Sequence, residues 1–111
     1  VLLLNTCLTV LEGQPNSHKA IWMGLVLKVI DAVLEVNPNC IFLLFGAEAA
    51  DIRKHISERS ICIITSHPSG FSAYKPLKTF PAFIGSKCFV KVNEELIKQG
   101  KMPIDWCIKN M

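Results

Sequence analysis

The feature that most constrains the fold is the abrupt change of character within residues 60–74. Its first part, Ser60-Ile61-Cys62-Ile63-Ile64-Thr65, is rich in β-branched residues and predicts a buried strand over Ile61–Thr65. Pro68 then fixes its own φ and drives His67 toward an extended backbone, and Gly70 frees the chain to turn. His67 therefore follows the carboxyl end of a strand, which is where ligands bind in open α/β sheets. A structural histidine is the plainer alternative.

Two other apolar runs, residues 1–4 and 40–45, have the composition of strands covered on both faces. Helical patterns separate the three runs, over residues 19–36 and 47–57. Such an order implies parallel pairing with right-handed crossovers, in an α/β fold. The carboxyl ends of the strands would then share one edge, where we expect three polar or open positions: Asn5, Gly46-Ala47 and His67.

The helix predicted over residues 19–36 carries polar side chains at Lys28, Asp31 and Glu35, which form one narrow stripe. A helix with so little polar surface is expected to be mostly buried, and Ser17 is the predicted N-cap. Residues 75–81 contain two prolines and two lysines and predict an exposed loop, and residues 86–99 predict a closing helix.

Composition sets the class of protein. The 111 residues predict a single domain, 1–111, and half of them are hydrophobic, with a mean hydropathy of +0.36. The net charge of +3 suits an anionic partner without requiring one. Five cysteines without a Cys-x-x-Cys pair favour a reducing compartment, without structural disulfides or zinc. We find no signal peptide or membrane span and expect an intracellular, monomeric protein. The chain opens within a predicted strand and without Met, so we expect a fragment.

Several short motifs, in order, resemble the family 1 uracil-DNA glycosylases. His67-Pro68-Ser69-Gly70-Phe71-Ser72 is similar to the family's His-Pro-Ser-Pro-Leu-Ser loop, with glycine for the second proline and phenylalanine for leucine. The other matching segments are Leu2-Leu3-Leu4-Asn5, Phe42-Leu43-Leu44-Phe45-Gly46 (with Ala47 for a serine), Phe83-Ile84-Gly85-Ser86 and Pro103-Ile104-Asp105-Trp106. The resemblance implies the carboxyl-terminal part of a three-layer α/β/α fold with a central parallel sheet.

The resemblance also implies roles for individual residues in removing uracil from DNA. Asn5 would read the uracil edge with its amide, and His67 would stabilise the departing uracil anion. Phe71 would fill the space left by the flipped base, and we expect its side chain to face solvent or DNA. The remaining DNA contacts implied by the family are Gly46, Ala47, Ser69, Gly70, Ser72, Tyr74 and Lys75. The implied partner is single- or double-stranded DNA that contains uracil, and no cofactor or metal is implied.

The family's Gly-Gln-Asp-Pro-Tyr-His motif, which supplies the water-activating aspartate, does not occur in the sequence. We expect it to lie upstream of Val1, so that this chain alone does not excise uracil at enzymatic rates. The resemblance suits a nuclear, mitochondrial or cytoplasmic enzyme, or one of viral or bacterial origin. Two other function classes remain open: a non-catalytic DNA-binding module on the same scaffold, and a cysteine hydrolase that pairs His67 with Cys62.

Overall fold

The computed structural model describes residues 1–108 and divides the chain into two compact units, Val1–Cys40 and Ile41–Met111. We call them the amino-terminal and the carboxyl-terminal unit and describe each by itself. The last three residues of the predicted 1–111 domain lie outside the described residues.

The amino-terminal unit is built around helix α1, Lys19–Val36. These are the bounds that the sequence predicts, and Asn37 ends the helix by donating its backbone N–H to Val33 O at 2.8 Å. The prediction that Ser17 caps the helix is wrong, because His18 occupies the N-cap position. The Ser17 hydroxyl instead accepts a hydrogen bond from the Leu11 backbone N–H at 2.7 Å.

Helix α1 is not mostly buried, contrary to the prediction. Val26 and Ile30 are its buried residues, whereas Ile21 and Val36 are 75% and 88% exposed. A narrow polar stripe predicts burial only if protein surrounds the rest of the helix. Here much of the apolar surface of the helix is exposed. The width of the polar stripe alone therefore does not predict how much of a helix is buried.

The strand predicted at residues 1–4 is also wrong. Residues 1–10 form neither helix nor strand, and Val1 and Leu3 are 87% and 90% exposed. An apolar run becomes a strand only when a neighbouring strand satisfies its backbone N–H and C=O groups. Within the residues that the structure describes, no ladder partner is paired with this segment.

The carboxyl-terminal unit contains a parallel pair of strands, β1 (Ile41–Phe45) and β2 (Ile61–Thr65). Their register pairs Ile41 with Ile61 and Phe45 with Thr65, so both strands end at the same edge. Helix α2 (Gly46–Ala50) and a 3₁₀ helix (Asp51–His55) connect them. The described part of the sheet therefore has two strands rather than the predicted three.

Apolar side chains from both strands and from helix α3 (Cys88–Lys98) make the core of this unit. Leu44 and Ile64 lie opposite each other and are each 8% exposed, so their burial stabilises the pair by about 1.5–3 kcal/mol per side chain. The remaining core is formed by Ile52, Ile56, Ala73, Cys88 and Val92, beside an aromatic cluster of Phe45, Phe83, Phe89 and Trp106.

The tail after α3 is irregular, and side chains of α3 hold it to the helix. Asn93 donates from its amide nitrogen to Ile104 O at 2.9 Å and accepts from the Ile104 backbone N–H at 2.8 Å. Trp106 packs against Phe89 with ring centroids 4.8 Å apart. These contacts bring the Pro103-Ile104-Asp105-Trp106 motif onto α3.

Candidate functional site

The shared end of β1 and β2 brings Gly46 and His67 together, as the sequence predicts. Gly46 is buried and has φ of +85°, a left-handed conformation that favours glycine. A Cβ at this position would come within 3.2 Å of His67 Cβ and 3.4 Å of its Cδ2. Because Gly46 has no side chain, His67 can pack directly against the end of β1. Glycine at position 46 therefore helps to position His67.

The His67 ring is held by Ser69 through two contacts to the same nitrogen. The Ser69 backbone N–H donates to Nδ1 at 3.1 Å, and the Ser69 hydroxyl lies 2.7 Å from that atom. A nitrogen that accepts from an N–H must offer a lone pair, so Nδ1 carries no proton in this arrangement. The ring is then the neutral tautomer with its proton on Nε2, and it presents one N–H donor.

Ser66 is the buried link between this loop and the rest of the unit. It is 3% exposed, and its hydroxyl donates to Ser72 O at 2.6 Å and accepts from the Phe83 backbone N–H at 3.0 Å. Its own backbone N–H donates to Pro81 O at 3.0 Å. Ser66 thus connects the end of β2 to Ser72 within the loop, and to Pro81 and Phe83 further along the chain.

The second half of the loop is a 3₁₀ helix, Gly70–Tyr74, which carries two exposed aromatic rings. Phe71 is 85% exposed and Tyr74 is 71% exposed, whereas Ala73 between them is buried. The prediction that Phe71 faces away from the core is confirmed. Gly70 has φ of +53° and lets the chain enter this turn.

The hydroxyl protons of Ser69 and Ser72 are both engaged within the loop. Because Nδ1 of His67 has no proton to give, the Ser69 hydroxyl is the donor in that contact. The Ser72 hydroxyl donates to Ser69 O. A phosphate oxygen only accepts hydrogen bonds, so either serine must release its present acceptor before its hydroxyl can donate to DNA. Their expected phosphate contacts stay a prediction.

The other predicted site residues fall into two groups. Ala47, in α2, and Lys75, directly after the 3₁₀ helix, are exposed in the carboxyl-terminal unit with His67. Asn5 is exposed and belongs to the amino-terminal unit, in the segment without helix or strand. The structure thus brings together residues 67–74, which we call the His67 loop, and Gly46-Ala47, whereas Asn5 belongs to the other unit.

Sequence reasoning missed Ser66 as a member of this site. The hydrogen bonds of Ser66 reach Pro81 and Phe83, whereas those of Ser69 and Ser72 stay within residues 66–75. The signal that could have identified it is a small hydroxyl residue placed directly between an apolar strand and the His-Pro pair. Such a residue lies at the last buried position before the chain leaves the sheet.

Cys62 is a poor nucleophile, which argues against a cysteine hydrolase. It lies within β2 and is half-buried. Burial raises the pKa of the Cys62 thiol, and the nearby positive charge of Arg53 opposes that shift only in part. A thiol that stays protonated to higher pH offers less of the reactive thiolate at neutral pH.

The described residues carry neither a metal-binding cluster nor a membrane helix. Within residues 1–108, no group of three or more His, Cys, Asp or Glu side chains lies close enough to hold a metal ion. Among the same residues, no helix combines the length and the apolar character needed to cross a membrane.

Comparison with known proteins gives one consistent result. The family model of the uracil DNA glycosylase superfamily matches residues 1–97. Over 113 aligned residues, the chain is 42% identical to a uracil-DNA glycosylase of Bacillus velezensis and 44% identical to that of Bacillus subtilis. Both alignments cover all of this chain but 47% and 48% of the relatives, so the chain spans about half of their length.

The solved structures agree with the sequence comparison. The crystal structure of mimivirus uracil-DNA glycosylase matches with a TM-score of 0.74 and 28% identity, over 90% of this chain and 40% of that protein. A variant of mimivirus UNG in complex with UGI matches with a TM-score of 0.72 and 28% identity, over 82% of this chain and 38% of that one. The α/β fold with a parallel sheet is therefore confirmed.

Proposed function

The chain belongs to the uracil DNA glycosylase superfamily, and on that premise we propose that it forms part of an enzyme that excises uracil from DNA in base excision repair. The observation that carries the proposal is the hydrogen bond from the Ser69 backbone N–H to Nδ1 of His67. That bond fixes the ring as a neutral donor through Nε2, and a fixed donor is what the departing base requires.

His67 stabilises the leaving group. Hydrolysis of the N-glycosidic bond leaves negative charge on uracil, and O2 carries part of it. An Nε2–H donor that is already oriented stabilises this charge without reorganisation during the reaction, and loss of one such donor costs about 2.7–4 kcal/mol. Gly46 and Ser69 contribute indirectly, because they hold the ring in place.

Asn5 reads the base. Uracil offers an acceptor at O4 and a donor at N3, and one fixed side-chain amide meets both. Cytosine offers a donor at its amino group and an acceptor at N3, so the same amide meets two mismatches. Each buried mismatch costs about 1–3 kcal/mol, enough to separate two bases of nearly equal shape.

The exposed loop residues engage the DNA. A base must leave the stack before it can be hydrolysed, at a cost of a few kcal/mol, and an apolar side chain that fills the vacated space offsets part of that cost. Phe71 has the size and the exposure for this role. The phosphate contacts are assigned to the backbone at Gly46, Ala47 and Gly70, to Ser69 and Ser72, and to the exposed Tyr74 and Lys75. The partner is uracil-containing DNA, single- or double-stranded, and the protein acts as an intracellular monomer.

The test uses a chimera in which the amino-terminal part of the Bacillus subtilis relative precedes residue 1. Excision of uracil from single-stranded DNA is measured for the chimera and for its His67→Ala variant. We expect the variant to lose about 10²–10³-fold in kcat. The matched control is His55→Ala, which removes another exposed histidine of the same unit and should leave kcat unchanged.

Two outcomes would contradict the proposal. An unchanged rate in His67→Ala would remove the leaving-group role. A chimera that binds DNA, excises nothing and shows no preference for uracil would favour the non-catalytic DNA-binding module instead.

A further inference from the structure

Residues 75–80 form a small hairpin, which we call the lysine hairpin. Its first residue, Lys75, belongs to the site described above, and the role of its tip is not part of that site. The Leu77 backbone N–H donates to Phe80 O at 3.0 Å, and the Phe80 N–H donates to Leu77 O at 2.8 Å. This pair of bonds leaves Lys78 and Thr79 as the two residues of the tip, both exposed. The segment expected to be a plain loop is thus closed by two backbone hydrogen bonds.

The lysine hairpin is held to the His67 loop at its start and to Ser66, directly before that loop, at its end. At its start, the Lys75 backbone N–H donates to Ser72 O at 3.2 Å. Directly after it, Pro81 O accepts from the Ser66 backbone N–H at 3.0 Å. The hairpin therefore extends from the same short stretch of chain that presents His67 and Phe71.

Lys78 occupies a backbone conformation that disfavours lysine. Its φ is +52°, and it is the first residue of a two-residue hairpin tip. Tips of this kind prefer Gly, Asn or Asp at positions of positive φ, because a Cβ is strained there. A lysine is less favourable at this position than Gly, Asn or Asp, but it places a positive charge at the tip. An observed backbone outlier of this kind is a reason to look for a function of the side chain.

The charge around the lysine hairpin has one sign along the sequence. From Arg59 to Asn93 there is no Asp or Glu, and the five charged residues in that range are Arg59, Lys75, Lys78, Lys87 and Lys91. Lys75 and Lys78 are both exposed. Lys75 and Lys78 thus lie in a stretch, residues 59–93, whose charged residues are all basic, and such a composition favours a polyanion.

We propose that the lysine hairpin is a second phosphate-binding element for duplex DNA, with Lys78 as the residue that contacts the backbone. The proposal rests on the proposed function, because that function brings duplex DNA to the His67 loop from which the hairpin extends. A lysine ammonium at the tip binds a phosphate as a point charge and reads no sequence. Its contribution should therefore be the same for DNA with and without uracil.

The test is the salt dependence of DNA binding by the chimera described above. Affinity for a labelled 20-base-pair duplex is measured between about 20 and 200 mM KCl, with one uracil and without it. The variants are Lys78→Gly, which removes the charge and relieves the strained φ, and Lys78→Arg, which keeps the charge. The control is Lys98→Ala, which removes an exposed lysine of α3 that pairs with Glu95.

For Lys78→Gly we expect a several-fold lower affinity on both duplexes at low salt. The slope of log K against log salt should become shallower by about 0.9, the value for one lost phosphate contact on B-DNA. Lys78→Arg should keep the slope, and thermal unfolding should show Lys78→Gly to be no less stable than the unsubstituted chimera. Lys98→Ala should leave both affinity and slope unchanged.

An unchanged slope in Lys78→Gly overturns the lysine hairpin proposal, as does the absence of DNA binding at the lowest salt. The uracil-containing duplex separates this failure from failure of the proposed function. If the chimera prefers uracil and the slope does not change, only the hairpin proposal fails. If the slope changes and uracil is not preferred, the hairpin contacts DNA and the base-reading role of Asn5 fails.

Discussion

The two compact units of the chain contain similar apolar runs that adopt different structures. In the carboxyl-terminal unit, the apolar run Ile41–Phe45 pairs with Ile61–Thr65, and its residues are buried or half-buried. In the amino-terminal unit, the run at residues 1–4 has an equally apolar composition, and it is exposed and irregular. The difference teaches that an apolar run specifies a tendency to be buried, and that a ladder partner decides whether it becomes a strand.

The units also differ in how their polar groups are used. In the carboxyl-terminal unit, buried Ser66 makes hydrogen bonds to three partners and holds the loop that carries His67. In the amino-terminal unit, the Thr9 hydroxyl accepts from Trp22 Nε1–H at 2.8 Å and lies 2.9 Å from His18 Nδ1, at an exposed position. Hydrogen bonds that are shielded from water contribute more to a fixed geometry than exposed ones. The backbone around Ser66, where the loop leaves the sheet, is therefore expected to be rigid.

The largest expected effect contrasts two leucines from the two apolar runs. Leu44→Ala in β1 removes a side chain that is 8% exposed and should lower the free energy of unfolding by about 2–5 kcal/mol. Leu3→Ala removes one that is 90% exposed and should change it by less than about 0.5 kcal/mol. Denaturant unfolding of both variants is the measurement. Equal losses would mean that residues 1–4 are buried like β1.

The next effect contrasts the same substitution at two glycines. Gly46→Ala adds a Cβ at φ of +85° and 3.2 Å from His67 Cβ, and should destabilise the chain by about 1–3 kcal/mol. Gly24→Ala in α1 meets no atom within 4 Å and should stabilise the helix by about 0.5–1 kcal/mol. The sign of the change in thermal unfolding separates them. A neutral Gly46→Ala would show that His67 does not depend on a bare backbone at the end of β1.

The third prediction tests the site residue of the amino-terminal unit. In the chimera, Asn5→Asp should lose much of its activity on uracil and gain some on cytosine, because a carboxylate accepts the amino proton of cytosine. The discrimination at stake is about 1–3 kcal/mol for each mismatched group. Excision of both bases is measured side by side. If the uracil-to-cytosine ratio stays the same, Asn5 does not read the base, and its role is limited to that of its backbone.

The smallest expected effect on stability is at the exposed aromatic of the site. Phe71→Ala should change the free energy of unfolding by less than about 0.5 kcal/mol, since its ring is 85% exposed. In the chimera it should slow excision from duplex DNA more than from single strands, because only the duplex must be opened. Phe89→Ala, which loses a ring packed against Trp106, is the control that should destabilise. A loss of about 3–5 kcal/mol in Phe71→Ala would place that ring in the core.

The sequence by itself determined the elements whose signals are local. Helix α1 has the predicted bounds Lys19–Val36, and β2 has the predicted bounds Ile61–Thr65. Apolar periodicity and β-branched runs act over a few residues, so they can be read without knowing the fold. The turn after His67 follows in the same way from Pro68 and Gly70, and so does the exposure of Phe71.

The tertiary structure decided everything that depends on a partner far along the chain. Ser66 became a site residue because Phe83, seventeen residues later, donates to its hydroxyl. Gly46 became necessary because His67 packs against it across the parallel pair. Residues 1–4 stayed irregular, and α1 kept an open apolar surface, because burial requires another surface to cover it. A sequence pattern states what a segment can bury or bond, and only the folded chain supplies the second group.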